Sequence, residues 1–518
     1  MDELIYPVGE QDFPNLRKAG MFYADKTALI YRLATRGKYY FLSRPRRFGK
    51  SLLLSTLEAY FQGRRELFQG LAVEQLERDW TPHPVLRLDM SSGKYSDLAN
   101  LHSMLRNMFR YYEEEYGVQP NADDSYGTRL TNLIIAAYNK TQCPVVVLVD
   151  EYDAPMLDSL TDMARMQEVR NIMRDVYSPL KAQAARLRFV LLTGITKFAQ
   201  LSIFSELNNL MNISMSPEYE TLCGITADEI ATQMRPGVEA LAEYHHCTPE
   251  QMLDTLRRNY DGYHFSHAMT ADVYNPFSLM KVFQYKELDS YWFESGMSSW
   301  LIELLRKHAM ELPDMERVKA ASDDFNRPTE REVDLMPLLY QGGYLTIKDY
   351  EPEDEVFTLG IPNQEVRRGL SKGLVRYLLP LSTERNYLRR AFLDLKAAGD
   401  VAAFMPVLTD FYRSIPYDIS APTEKHYQAL LYTMLVAQGA DVSAEDRTSD
   451  GRIDIVLRMP RETYVIELKL GHTAAEAMEQ LRRKDYAAKY RHDGRPVRLL
   501  AINISPDTRT IDDWLMQE

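Results

Sequence analysis

Short apolar runs alternate with amphipathic stretches over roughly the first 230 residues of the chain. The clearest run is Val145–Asp150, where five aliphatic residues follow one another without a polar interruption. Such a run predicts a strand that is buried on both faces, as in a parallel sheet flanked by helices. We therefore predict an α/β fold here. The predicted strands are Tyr39–Ser43, Val85–Asp89, Val145–Asp150, Arg188–Thr193 and a short strand near Glu220–Gly224.

The pattern is mainly helical after this region, and an α/β pattern returns near the end of the chain. Aromatic residues flank the turn-forming pairs Asp261-Gly262 and Asn275-Pro276, and we predict that they belong to the core rather than to a base-stacking surface. The charged stretch 348–356 predicts a solvated turn between two strands. The predicted segments are an α/β domain (1–230), a mostly helical lid or accessory domain (231–375), a helical bridge (376–414) and a second α/β domain (415–518).

A loop with a glycine, a lysine and a serine connects the first predicted strand to an apolar helix. Gly49-Lys50-Ser51 is typical of a phosphate-binding loop, in which backbone N–H groups face the phosphates, Lys50 neutralises them and Ser51 holds Mg²⁺. The usual first glycine is replaced by Arg44, and the sequence does not rank Arg44, Arg46 and Arg47 as contacts to phosphate or to a neighbouring molecule. The predicted ATP-binding residues of this loop are Arg46, Arg47, Phe48, Gly49, Lys50 and Ser51.

Two carboxylates follow the aliphatic run at the end of the third predicted strand. Asp150 would hold Mg²⁺ and Glu151 would polarise the attacking water, as the corresponding acids do in P-loop ATPases. A buried strand that merely ends in solvated acids is the alternative. On the next strand, Thr193 is a candidate γ-phosphate sensor, although it would also suit an ordinary strand end.

A second group of charged residues lies near the C-terminus. A helix at 423–438 precedes two strands joined by a turn at 459–461, and these strands carry Asp454, Glu467 and Lys469. Period-two alternation places Glu467 and Lys469 on one face. Two carboxylates beside a lysine can hold Mg²⁺ and orient water for attack on a phosphodiester. The alternative is an edge hairpin with solvated charges. A following helix is predicted to carry Gln480 and Tyr486.

Composition narrows the possible classes of protein. The chain has 518 residues, 45% of them hydrophobic, and a net charge of −13, so the molecule as a whole is not a polyanion binder. It has no apolar stretch of spanning length and no signal peptide, so we expect a cytoplasmic protein without a membrane partner. Its three cysteines fit neither a disulfide framework nor a zinc site. Seven basic residues between Leu481 and Arg498 form either a solvated helix face or a phosphate-contacting patch.

With these residues the chain resembles bacterial AAA-ATPase-like proteins that carry a C-terminal PD-(D/E)XK nuclease-superfamily domain, over nearly its whole length. The motifs that carry the resemblance are Tyr23–Thr27, Ser43–Ser51, Asp150–Pro155, Thr193–Phe198, Ser205–Leu210, Tyr260–Tyr263 and Tyr274–Ser278. The resemblance implies a P-loop NTPase sheet and a restriction-endonuclease-like C-terminal domain. It also implies that Asp454, Glu467 and Lys469 form the nuclease core, supported by Gln480. Glu424 would be the carboxylate of the leading helix, with His426 as a weaker candidate.

The functional expectation is an ATPase that regulates or drives a Mg-dependent nuclease acting on nucleic acid. The alternative is a STAND-like nucleotide switch that self-assembles as a homo-oligomer and whose nuclease-like domain only binds nucleic acid or a partner. A third possibility is an interaction protein with vestigial sites. The expected cofactors are ATP and Mg²⁺, with Mn²⁺ as a substitute at the nuclease site. DNA is favoured over RNA as the partner.

Overall fold

The computed structural model describes residues 4–91, 93, 97–159, 162–196, 209–293, 301–302, 305, 308, 310–325, 335–415, 423–448, 451–492 and 494–517. The chain divides into two compact units. The first comprises Met1–Tyr291 and Lys319–Asn363, and the second comprises Trp292–Val318 and Gln364–Glu518. The boundaries of the four segments derived from the sequence remain predictions.

A five-stranded parallel sheet forms the centre of the first unit, with the strand order β2-β3-β4-β1-β5. Its strands are β1 (Tyr39–Ser43), β2 (Val85–Asp89), β3 (Val145–Asp150), β4 (Leu187–Gly194) and β5 (Met211–Asn212). The first four confirm the predicted strands. Glu220–Gly224 forms turns, with a left-handed φ of 102° at Gly224, and a short strand begins only after it at Ile225, outside the parallel sheet. The predicted position of this strand is therefore wrong. All five strands end at the same edge, so Ser43, Asp150 and Thr193 come together there.

Helices cover this sheet and build a second apolar core beside it. Leu98–Tyr116, Tyr126–Thr141 and Met163–Tyr177 pack their apolar faces against β2 and β3. The second core joins Tyr6 and Phe22 to the helices that follow residue 226. Among the described residues, the α-helices of the first unit are Phe13–Lys18, Thr27–Arg36, Lys50–Phe61, Val73–Leu76, Leu98–Tyr116, Tyr126–Thr141, Ala154–Leu157, Met163–Tyr177, Pro179–Ala182, Ala227–Gln233, Arg235–Tyr244, Pro249–Tyr260, Pro276–Tyr285 and Leu335–Gln341.

Short strands accompany the helices of the middle region. They are the antiparallel pair β6 (Ile225–Thr226) and β7 (Val273–Tyr274), and the three-stranded sheet of β8 (Val318–Ala321), β9 (Thr346–Glu351) and β10 (Val356–Gly360). The pairing of β9 with β10 confirms the predicted turn within 348–356. Tyr260, Tyr263, Phe265 and Tyr274 are buried, which confirms the prediction for these four aromatic residues, whereas Phe277 is only half-buried.

The second unit contains a five-stranded mixed sheet with helices on both faces. Its strands run in the order β11 (Asp441–Thr448), β12 (Gly451–Arg458), β13 (Thr463–Leu470), β14 (Val497–Ile504) and β15 (Ile511–Gln517). Only β13 and β14 are parallel. Val465 of β13 faces the helix Ala474–Arg483, whereas Ile466 faces the other helices. The α-helices of the second unit described at full length are Gln364–Leu378, Ser382–Ala398, Val401–Arg413, Glu424–Ala437 and Ala474–Arg483.

Candidate functional sites

The loop after β1 turns the chain sharply into the helix Lys50–Phe61. Arg47 and Gly49 have left-handed φ values of 67° and 92°. Gly49 adopts this conformation without strain because it has no Cβ. The helix N-terminus that follows has no side-chain cap, so its backbone N–H groups carry their partial positive charge toward an incoming anion.

Arg44 has a structural role, which distinguishes it from Arg46 and Arg47. Its side chain is 1% exposed and donates hydrogen bonds to the carbonyls of Ser43, Ser214 and Tyr219 at 2.9, 2.7 and 3.1 Å. The guanidinium also lies 4.2 Å from the centre of the Phe265 ring. Burial lowers the pKa of Arg44. The residue that replaces the usual glycine therefore fastens the loop to the sheet.

Arg46, Arg47 and Phe48 differ in their surroundings. Arg46 is exposed, whereas Phe48 is buried and packs edge-on against Tyr263 at a centroid distance of 4.8 Å. Arg47 donates a hydrogen bond from Nη1 to the carbonyl of Tyr291 at 2.7 Å, and its guanidinium lies 4.1 Å from the centre of the Phe277 ring. Phe48 thus anchors the loop, and Arg47 connects it to the segment 277–291.

The structure brings Lys50, Ser51, Asp150, Glu151 and Thr193 together at the sheet edge. The Lys50 ammonium donates to the loop carbonyl of Pro45 at 3.1 Å and lies 3.4 Å from Glu151 Oε1. Asp150 is 2% exposed and accepts a hydrogen bond from Thr193 Oγ1 at 2.9 Å. Burial raises the pKa of Asp150, while the Ser51 and Thr193 hydroxyls and Lys50 oppose the shift. Asp150 is therefore not a solvated acid at the end of a strand, and its role in holding Mg²⁺ stays a prediction.

Asp153 has a role that the sequence analysis missed. It is fully buried and accepts hydrogen bonds from the Thr196 N–H and hydroxyl, each at 2.6 Å. Burial, with Glu151 nearby, raises its pKa to about 6. Asp153 therefore ties the segment after β3 to the end of β4, and this fixes the carboxylates relative to Thr193. The only sequence feature that could have indicated this role is the position of Asp153, three residues after Asp150.

A cavity of about 290 Å³ opens beside the loop. Gly49, Lys50, Ser51 and Glu151 form part of its wall, and apolar residues form much of the rest. The apolar wall comes from four separate parts of the chain, which explains why sequence reasoning did not find it. Its larger apolar side chains are Leu16, Phe22, Tyr23, Ile30, Phe48, Leu52, Leu53, Leu222, Ile225, Phe277 and Met280.

In the second unit, Lys469 lies among the predicted carboxylates. Its ammonium is 2.9 Å from Glu467 Oε1 and 3.2 Å from Glu424 Oε1. Asp454 on the neighbouring strand accepts a hydrogen bond from the Leu468 N–H at 2.8 Å. The structure therefore assembles these four residues from a helix and two strands.

Burial and mutual repulsion raise the pKa of Asp454 to about 7, and burial also raises the pKa of Glu467. Glu467 Oε2 is buried and has no hydrogen-bond partner among the described residues. Hard oxygen donors with uncompensated negative charge suit Mg²⁺ or Mn²⁺. Within the described part of the chain, however, no group of three or more His, Cys, Asp or Glu residues is arranged to hold a metal ion. Lys469 occupies the space between Glu424 and Glu467.

Several neighbours support this site. Gln480 donates a short hydrogen bond from Nε2 to Glu467 Oε1, so it lies where the resemblance implies. Gln428, which the sequence analysis missed, donates to the Asp454 carbonyl at 2.8 Å. His426 instead contacts Glu311 Oε1 at 2.6 Å. Tyr486 is not on the predicted helix, because that helix ends at Arg483 and Tyr486 begins the 3₁₀ turn Tyr486–Tyr490. Tyr486 is buried, and Glu467 and Asp454 contribute to raising its pKa after burial itself.

The basic residues between Leu481 and Arg498 do not form one uniform face. Lys489 pairs with Asp446 at 2.6 Å, Arg491 with Asp485 at 2.5 Å, and Arg498 with Glu462 at 2.9 Å. Local acids thus neutralise part of this run, and its contact with phosphate stays a prediction. Two sets of residues from the sequence analysis, 197–198 and 205–208, lie outside the described residues.

Comparison with known proteins places both sites within recognised families. A family model described as predicted AAA-ATPase matches residues 7–204, and a model of the PD-(D/E)XK nuclease superfamily matches residues 422–514. A protein of Azotobacter chroococcum mcd 1, described as an uncharacterized protein in the vnfD 5' region, is 35% identical over 522 residues. The alignment covers 99% of this chain and 98% of that protein. In the described residues, no helix is long and apolar enough to cross a membrane.

The raised pKa of Asp454 has a consequence for stability. An acid whose pKa is higher in the folded state than its ordinary value of 3.8 lowers the free energy of unfolding as the pH rises from about 4 to about 7. In EDTA at pH 8 we expect Asp454→Asn to raise the free energy of unfolding by about 2 kcal/mol. The gain should disappear near pH 4, because the Asp454 carboxyl of the folded wild type is then protonated and as neutral as the amide of the variant. Urea denaturation at the two pH values measures it.

Asp441→Asn is the control for this prediction because Asp441 begins β11 of the same sheet and its side chain is 71% exposed. We expect it to change the free energy of unfolding by less than about 0.5 kcal/mol at both pH values. Equal stability of wild type and Asp454→Asn at pH 8 would show that the carboxylate is not strained by its surroundings.

Proposed function

The chain belongs to the family of predicted AAA-ATPases with a C-terminal PD-(D/E)XK nuclease superfamily domain, and we propose that it uses ATP to regulate or drive a metal-dependent nuclease. It is a nucleotide-binding protein with a nuclease-like domain. The observation that carries the proposal is that each unit gathers a lysine and buried carboxylates from distant parts of the sequence. The proposed partner is nucleic acid, DNA rather than RNA, in the cytoplasm.

At the first site, the residues of the loop would bind the phosphates of ATP. The N–H groups at the start of the helix and the Lys50 ammonium would contact phosphate oxygens, and Ser51 and Asp150 would hold Mg²⁺. The ion would supply neutralisation of the phosphate charge. Glu151 would accept a hydrogen bond from the attacking water, and Thr193 would keep Asp150 oriented through its 2.9 Å hydrogen bond.

The apolar wall of the same cavity would receive the nucleobase. Phe277 and Met280 lie on the helix Pro276–Tyr285, whereas Phe22 lies before β1 in the chain. Aromatic and aliphatic side chains bind a flat base by stacking and by burial of apolar surface. Phosphate binding and base binding would therefore depend on different residues of one cavity, so they can be measured separately.

At the second site, Asp454 and Glu467 would hold Mg²⁺ or Mn²⁺, and Glu424 would complete the acidic group. The unpartnered Glu467 Oε2 and the raised pKa values of both buried acids support this assignment. The ion would supply charge stabilisation at the scissile phosphate. Lys469 would orient the attacking water, and Gln480 would hold the Glu467 carboxylate in place.

A nucleotide switch whose nuclease-like domain only binds nucleic acid or a partner is the second candidate. The position of the Lys469 ammonium between Glu424 and Glu467 favours it, because the cation already neutralises part of the acidic group. In this case ATP would change the assembly state of the protein, and the second site would bind nucleic acid without cleaving it.

Binding of ATP and of inorganic tripolyphosphate separates the two ends of the first cavity. We expect Lys50→Ala to weaken both ligands about 100-fold, because it removes charge-assisted hydrogen bonds to phosphate. We expect Phe277→Ala to weaken ATP about tenfold more than tripolyphosphate, because only ATP loses a stacking contact, whereas both ligands share any change at Arg47, whose guanidinium lies 4.1 Å from the Phe277 ring. Isothermal titration calorimetry in Mg²⁺ measures both constants.

Tyr244→Ala serves as the control, because Tyr244 is 57% exposed and is not among the residues that line the cavity. It should bind both ligands like the wild type. Wild-type protein that binds neither ligand would refute the nucleotide site. Equal weakening of ATP and tripolyphosphate by Phe277→Ala would refute the assignment of the base.

Cleavage of labelled single- and double-stranded DNA and RNA tests the nuclease. With Mn²⁺ and ATP present, we expect Lys469→Ala to slow cleavage about 100-fold or more, because the variant loses the cation that positions water. Lys396→Ala removes an exposed lysine on the helix Ser382–Ala398, outside the basic run between Leu481 and Arg498, and it should cleave like the wild type. Nucleic acid that stays intact with wild-type protein while ATP binds would favour the nucleotide switch.

A further inference from the structure

The chain passes between the two units at three peptide bonds. A residue at one of them accepts a hydrogen bond from the phosphate-binding loop. The passages are Tyr291 to Trp292, Val318 to Lys319 and Asn363 to Gln364. At the first passage the residue on each side is held by a polar side chain of its own unit. These two contacts begin a series of polar interactions that ends at Asp454 and Lys469.

On the side of the first unit, Arg47 holds the backbone of Tyr291. The hydrogen bond from Arg47 Nη1 to the Tyr291 carbonyl is 2.7 Å long. Tyr291 is buried, and its hydroxyl donates to the Glu287 carbonyl at 3.0 Å. Arg47 also lines the nucleotide cavity and lies two residues before Gly49. A phosphate in this cavity would compete with the Tyr291 carbonyl for the guanidinium, because hydrogen bonds between ionised groups are stronger.

On the side of the second unit, Glu365 holds the backbone of Trp292. The Trp292 N–H donates a hydrogen bond to Glu365 Oε1 at 3.0 Å, and Glu365 is buried, with 2% of its surface exposed. Glu365 lies in the first turn of the helix Gln364–Leu378. A displacement of the peptide between Tyr291 and Trp292 therefore acts directly on the start of this helix.

Hydrogen bonds from Arg367 and Tyr432 to Glu316 connect this helix to the helix Glu424–Ala437, and we call these three residues the Glu316 clip. Arg367 donates to both carboxylate oxygens of Glu316, at 2.7 and 2.6 Å. Tyr432 of the second helix donates its hydroxyl to Glu316 Oε1 at 2.8 Å. A paired carboxylate of this kind resists separation of the two helices, because breaking it would leave half-buried charges without partners.

The helix Glu424–Ala437 reaches the candidate nuclease site through two side chains. Glu424 lies 3.2 Å from the Lys469 ammonium, and Gln428 donates to the Asp454 carbonyl at 2.8 Å. A shift of this helix would change the distance from Glu424 to Lys469. It would also move the strand that carries Asp454.

We propose that ATP controls the nuclease site through Arg47, the peptide between Tyr291 and Trp292, Glu365 and the Glu316 clip. The proposal rests on the proposed ATP site and names the residues that transmit its occupancy. ATP draws Arg47 away from Tyr291, the altered backbone position is passed on by the Trp292–Glu365 hydrogen bond, and the clipped helices carry it to Glu424 and Gln428. Glu365 is thus a positioning residue, and each contact in the series holds within one unit.

Hydrogen–deuterium exchange of the full chain with and without saturating Mg–ATP tests the proposal. In the wild type we expect ATP to slow exchange in peptides covering 50–61 and to change it about fivefold or more in peptides covering 424–437. In Glu365→Ala the change at 424–437 should fall below about twofold, while the protection at 50–61 persists. Glu365→Gln keeps an acceptor oxygen for the Trp292 N–H and should respond like the wild type.

A second variant guards against misfolding of Glu365→Ala. Tyr432→Phe removes one hydroxyl from the Glu316 clip, and it should at least halve the ATP response at 424–437. An unchanged response in Glu365→Ala or in Tyr432→Phe, or protection at 50–61 in the wild type without a response at 424–437, would overturn this proposal alone. No protection at 50–61 in the wild type would overturn the ATP site, and the proposal with it.

Discussion

A buried carboxylate costs free energy unless a cation or several hydrogen-bond donors compensate it, and both candidate sites are organised around this constraint. At the end of β3, Asp150 is held by Thr193, and Lys50 lies 3.4 Å from Glu151. At the end of β13, Lys469 compensates Glu467 at 2.9 Å. At the second site the compensation is incomplete, because Glu467 Oε2 has no hydrogen-bond partner among the described residues, and the proposed divalent cation would complete it.

A similar constraint, the need of buried carbonyl groups for hydrogen-bond donors, explains why Arg44 replaces the usual glycine of the phosphate-binding loop. A glycine after β1 would leave the carbonyls of Ser214 and Tyr219 without the donors that Arg44 supplies. The arginine fixes the base of the loop, so Arg47 and Gly49 can hold the left-handed conformations that open the helix N-terminus. Arg44 thus supports the geometry of the loop, and the proposed contacts to ligand come from Arg47, Lys50, Ser51 and the backbone.

The sequence predicts what depends on local pattern and misses what depends on distant contacts. Four strands of the parallel sheet and the β12–β13 pair follow from uninterrupted or alternating apolar runs. Met211–Asn212 is too short to produce such a pattern, so the fifth strand was placed wrongly. The role of Arg44 depends on carbonyls about 170 residues away. Phe277 lines the cavity beside the loop because a middle-region helix folds next to that loop, and local turn chemistry does not reveal this.

The central claim is that ATP bound in the first unit controls cleavage in the second. The most direct measurement is the rate of cleavage of a labelled DNA duplex in Mn²⁺, with and without ATP, by wild type and by Lys50→Ala. We expect ATP to change the wild-type rate about fivefold or more and to leave the rate of Lys50→Ala unchanged. Equal wild-type rates with and without bound ATP would contradict it.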